Sequence, residues 1–252
     1  MSVIDNIMSH SSSKWINEKI EDLPNRAKFR ASNAIRFLSW ANRIYHQTNL
    51  PIPACFCALH ATEEAVSAFV SCAKECNYED AKKINIKDHR AKSTVSTLAE
   101  KISNILGEYD VAIGHDEEND NLVTRLKSNN EIQHFITSTK LFHFRDNKGN
   151  PERDFYDRIL NDFGDIENLR KYLTQVQEAR NKLFYADKNG MPSGFDEPET
   201  SLARETRLTL GLIWVAIDMY RHKGEKIPLI VQALETINVI ITEDKRKQPP
   251  NV

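Results

Sequence analysis

The residues best suited to chemistry in this 252-residue chain lie in Glu178-Ala179-Arg180-Asn181-Lys182-Leu183-Phe184-Tyr185. Stepping about 100° per residue from Ile166, as on a helix, puts Leu169, Leu173, Val176 and Phe184 on one side and Arg180 among them. A guanidinium keeps its charge and is not tolerated unpaired in apolar surroundings. Arg180 is therefore predicted to meet a carboxylate from another helix or to face a polar cleft. A second cluster is His60-Ala-Thr-Glu63-Glu64. His60 and Glu64 are four apart and share a helical face, which Ser67 and Ser71 extend. That strip either lines a groove, with one carboxylate answering Arg180, or is a solvated face, the commoner fate of charges on an amphipathic helix. A third cluster pairs His89 with Lys92, three apart at a helix start. It is either an acid–base or phosphate-binding pair, since imidazole titrates near neutrality, or an exposed first turn.

Helices must position these groups, because helical periodicity dominates and only eight glycines occur. A short helix is predicted over 13–22, then a long one over 25–48 with Ala27, Ala31, Ala34, Leu38, Ala41 and Tyr45 on one face. The next, over 53–76, repeats the design with Ala54, Ala58, Ala61, Ala65, Ala68 and Phe69. Such small-residue faces let two helices approach closely, and the Pro-containing link predicts an antiparallel pair. Further helices are expected near 78–83, over 88–106 with Gly107 as C-cap, over 165–181, over 199–221 and over 228–241. The 199–221 segment is apolar nearly all round, which places it at a bundle centre. Residues 114–121 read as a polar loop. Residues 131–144 read as a β-hairpin or an irregular segment, so 109–164 is taken as an insertion. The expected fold is all-α: one helical domain over 1–252, a bundle of about six to eight helices.

The bulk properties exclude several classes. Apolar residues make up 40% and charged residues 28%, as in globular proteins, and the net charge of −2 gives no global pull toward nucleic acid or membrane. The apolar stretch 208–220 is too short to span a bilayer, and the N-terminus lacks the pattern of a secretory signal. Cys55, Cys57, Cys72 and Cys76 fall within one predicted helix; they read as reduced, buried small residues, and the chain as cytoplasmic. Their spacing does not suit zinc, and the His60–Glu64 order is the reverse of a di-iron motif, so neither metal nor cofactor is expected. Phosphate-binding glycine loops and the common hydrolase signatures are missing.

The order of three motifs resembles the AbiV-type abortive-infection proteins, which belong to the HEPN-like helical domains. The matching pieces are Ala58-Leu-His60-Ala-Thr-Glu63-Glu64-Ala65, then Asp88-His89-Arg-Ala-Lys92, then Arg180-Asn181-Lys-Leu-Phe-Tyr185-Ala-Asp187 with Pro192 beyond. The resemblance implies an all-α domain, often a homodimer, acting in phage defence. Many HEPN proteins are metal-independent ribonucleases whose signature is an arginine, often Arg-Asn, followed a few residues later by histidine. Arg180 and Asn181 match that opening, whereas Tyr185 stands where the histidine would be. Tyrosine titrates near pH 10, too high for easy proton transfer at neutrality. His89 or His60 would have to supply the imidazole from another helix. The candidate catalytic set is thus Arg180, Asn181, Tyr185 and His89, and the binding set His60, Glu63, Glu64 and Lys92. The expected partner is RNA, or a phage or host protein if the chain is a non-catalytic interaction module in which Arg180 pairs with Glu63 or Glu64.

Overall fold

The computed structural model describes residues 2–108, 111–128, 131–136, 156–184 and 197–246. The elements, in order, are α1 (Val3–Ser9), α2 (Ser11–Lys19) with a 3-10 turn (Ile20–Asp22), α3 (Asn25–Thr48), α4 (Pro51–Glu75), α5 (Glu79–Lys83), α6 (His89–Glu108), β1 (Val111–Asp116), β2 (Asn121–Ser128), β3 (Glu131–Ile136), α7 (Tyr156–Phe163), α8 (Ile166–Phe184), α9 (Pro198–Arg221) and α10 (Pro228–Arg246). The fold is an all-α bundle with a small antiparallel sheet. It has more helices among the described residues than the six to eight expected; α1 and α7 are the two that the sequence reading lacks. The link 187–196, the run 146–151, residues 137–144 and Tyr185 lie outside the described residues, as does the side chain of Arg180.

The frame is the α3–α4 hairpin. Ala27, Ala31, Ala34 and Ala41 of α3 face Ala54, Ala58, Ala61, Ala65 and Ala68 of α4, all fully buried. Asn49 ends α3 in the left-handed region, its N–H donating to the carbonyl of Tyr45 at 3.2 Å. α4 then starts at Pro51, earlier than the sequence pattern suggests, because the first helical turn needs no proline N–H. α9 crosses α4 on its other side, burying Leu202, Ile213, Ala216, Ile217 and Met219. α4 therefore has neighbours on most sides, and Thr62, Glu63, Glu64, Ser67 and Ser71 are all buried. The solvated face that an amphipathic reading favours for this strip is not there; α3, α6, α8 and α9 occupy that space.

The predicted loop 114–121 is instead the first turn of the sheet. β1 pairs with β2 and β2 with β3, both antiparallel, with Asp116 opposite Asn121. Asp116 Oδ1 accepts the backbone N–H groups of Glu118 and Asn119, and Asp120 takes a left-handed φ of 46°. Asp and Asn make such turns because their short side chains bond their own backbone. The turn is fixed to the bundle by Trp15, whose Nε1 donates to the Asp120 carbonyl at 3.0 Å, and by Lys19 at 2.6 Å from the Asp120 carboxylate. The segment 109–164 is thus part sheet and part helix, with α7 in its last third.

Candidate functional site

Two consecutive glutamates on α4 diverge by about 100°, so they reach different neighbours. Glu64 turns to α3. Arg30 Nη1 donates to both of its oxygens at 2.9 Å, and Asn33 Nδ2 donates at 3.2 Å. Glu63 turns to the start of α6. There His89 Nδ1 lies 3.2 Å from Oε2 and 3.3 Å from Oε1, and Lys92 Nζ lies 3.8 Å from Oε2. His60, one turn before on α4, puts its Nδ1 4.0 Å from the same oxygen. The structure thus unites four sequence-predicted residues, His60, Glu63, His89 and Lys92. It sends the fifth, Glu64, to a separate, closed pair with Arg30.

Local sequence explains the meeting. Asp88 precedes α6 and accepts the N–H of Arg90 at 2.9 Å, a side-chain cap that starts the helix at His89. His89 and Lys92 then share its first turn, where the positive end of the helix dipole also favours an anion. Glu63 is only 7% exposed and Lys92 8%, whereas the His89 side chain is 52% exposed. The buried carboxylate thus has one buried cation and one imidazole that reaches solvent. With its proton on Nδ1 toward Glu63, His89 presents Nε2 outward as an acceptor, the arrangement by which a carboxylate orients a histidine base. His60 is held by rings, its centroid 4.4 Å from Phe37 and 6.2 Å from Phe56.

A cavity of about 50 Å³ continues inward from Glu63 and Lys92, lined also by Ser96, Thr97, Glu100, Tyr172, Val176, Arg204 and Glu205. It has room for water but not for a nucleotide, so a substrate of that size does not fit inside it. Elsewhere in its lining the half-exposed Arg204 donates to Glu205 at 2.6 and 3.1 Å and lies 3.9 Å from Glu100, while Thr62 donates to Glu205. Burial opposes the charge on Arg204, but Glu205 and Glu100 outweigh it and hold its pKa above the ordinary value. Burial and then Glu100 push the Tyr172 phenol up, which unsuits it to proton transfer at neutrality. Arg30, Glu100, Arg204 and Glu205 were not singled out from the sequence. Arg204-Glu205 sits in α9, which reads as apolar around nearly all of its circumference, so the reasoning that flagged Arg180 would also have found it.

α8 approaches this wall from the far end of α6: Lys101 lies 3.5 Å from Asp162 and 4.7 Å from the Phe163 ring, just before α8 begins. Val176 lines the cavity, and position 180 follows one turn later on the α8 backbone. Asn181 is exposed. A larger cavity of about 630 Å³ lies between α6, α9 and α10, bordered by Ile113 and Thr124 of the sheet. Its walls are mostly apolar, and the acid–base groups do not converge there. Among the described residues no three His, Cys, Asp or Glu side chains are placed to hold a metal ion, and no helix is long and apolar enough to cross a membrane. No protein-family model matches the chain, and no curated protein and no solved structure is measurably similar to it.

Proposed function

We propose that the chain is an AbiV-type, HEPN-like defence protein that acts on RNA, with His89 as the proton-transfer group. The observation that carries this reading is the meeting of two motifs distant in sequence. His60–Glu63 and His89–Lys92 converge on one buried carboxylate, which faces an imidazole open to solvent. Glu63 orients His89, and His89 Nε2 takes the proton of a ribose 2′-hydroxyl as that oxygen attacks the adjacent phosphorus; the bond from phosphorus to the 5′-oxygen breaks, leaving a 2′,3′-cyclic phosphate and a 5′-hydroxyl that takes its proton from water. Lys92 lies 3.8 Å from Glu63 as its buried cation. Arg180, from the motif that resembles the HEPN signature, binds the phosphate, with Asn181 beside it. The imidazole that Tyr185 lacks then comes from α6. The family resemblance also implies a homodimer in the cytoplasm, which sedimentation and fractionation would test. The direct test of the arginine is cleavage of a labelled RNA by wild type and Arg180→Ala. Loss of cleavage in the variant supports the reading; equal background in both removes it.

A second reading has its own observation. Each buried glutamate on α4 has a basic partner, Arg30 for Glu64 and Lys92 for Glu63, as in a bundle stitched by ion pairs. The chain would then bind a phage or host protein without turnover. RNA that is neither cleaved nor bound, together with a sharply less stable Glu63→Gln, favours this reading.

A further inference from the structure

α3 carries five Lys or Arg and no Asp or Glu in 24 residues, in a chain whose net charge is −2. Lys28 and Arg30 are paired, with Glu21 and Glu64. Among the described residues Arg26, Arg36 and Arg43 have no acidic partner. Stepping along the helix, Phe29, Arg36, Trp40 and Arg43 fall within about 40° of the direction opposite the buried alanine stripe. They form its outermost line. Phe29 is 67% exposed and Trp40 43%, so two large rings stand in water in alternation with the guanidinium groups of Arg36 and Arg43.

We propose that this outer face of α3 is a track for single-stranded nucleic acid that delivers the strand to His60 and His89. The inference rests on the reading of RNA as the substrate. Guanidinium groups spaced along a helix meet backbone phosphates, and exposed rings in line with them stack on unpaired bases. A duplex hides its bases and would leave both rings without partners. A second copy of the chain fits this face badly, because two-fold packing would press an acid-free arginine line against itself. The track also leads to the site. Trp40 contacts Phe37 edge-on at 4.9 Å, Phe37 contacts His60 at 4.4 Å, and His60 lies beside Glu63.

The test is fluorescence anisotropy of a short labelled single-stranded RNA, with its duplex as comparison, over a range of salt. The variants are Arg36→Glu/Arg43→Glu and Trp40→Ala. These α3 residues are surface residues, so thermal melts of their variants should match wild type. Wild type should bind the single strand in preference to the duplex. Loss of two phosphate contacts should flatten the log–log salt slope by about 1.4. Trp40→Ala should weaken binding by about 5- to 150-fold. Unchanged affinity and slope in the α3 variants, equal binding of duplex, or an α3 variant that instead dissociates a dimer would each overturn the track. Binding that follows these expectations without cleavage leaves the track standing and sinks the ribonuclease reading.

Discussion

Replacing Glu63 by glutamine keeps the shape of the side chain and removes its charge. Lys92, 3.8 Å away and 8% exposed, is then a buried ammonium without its anion. A unit pair at that separation interacts by about 4 kcal/mol at an effective dielectric of about 20, and breaking a buried pair from one side costs about 3–5 kcal/mol. His89 is half exposed and regains water, so its share of the loss is small. The expected destabilisation is therefore about 3–4 kcal/mol, or roughly 6–15 °C in Tm for a chain of this size. Urea unfolding followed by far-UV circular dichroism measures it directly. The double variant Glu63→Gln/Lys92→Met should recover much of the loss, because the stranded charge is gone. A Glu63→Gln protein that melts within about a degree of wild type would refute the view that Glu63 and Lys92 form a buried pair.

Glu64→Gln should be milder, because Arg30 is 44% exposed and can be rehydrated; a loss of about 1–2 kcal/mol by the same unfolding assay is expected. Gly211→Ala should raise stability by about 1 kcal/mol, since the site is inside α9 and a Cβ there has open space within 4 Å. A lower Tm would mean that the cavity wall beside Gly211 is not as open as described. Burial and then Glu205 push the Cys55 thiol up to about 12, so a thiol reagent at pH 8 should label it only on unfolding. The sign of the linkage follows. The folded pKa is raised, so the native advantage is whole below the ordinary thiol range and is lost as pH climbs toward about 12, where unfolding titrations should show it.

Much of the frame could be read in the chain. The alanine stripes of α3 and α4 recur at helical spacing, and small side chains on two adjacent helices leave little choice but close packing. α9 declared its central place because apolar residues occupy nearly its whole circumference. Periodicity says less about how many neighbours a helix has. The polar strip from His60 to Ser71 looked like a water-facing side, yet Arg30, Asn33, His89 and Lys92 cover Glu63 and Glu64 from elements far away in sequence. Such long-range pairing leaves no local mark. The β1–β2 turn was missed for the opposite reason. Asp116 and Asp120 look like a generic acidic loop, and only their bonds to nearby backbone and to Trp15 and Lys19 make it a defined corner. Arg180 was found by its misfit with an apolar stripe, and Arg204-Glu205 carries the same signal.

The most direct measurement of the central idea is the single-turnover cleavage rate of a labelled RNA by wild type and by His89→Ala, run side by side with chelator present. An imidazole oriented by Glu63 and moving protons at the 2′-hydroxyl predicts cleavage by wild type that falls by about 10²–10⁴-fold in the variant. Wild type that does not cut RNA, or a variant that cuts at the same rate, contradicts it.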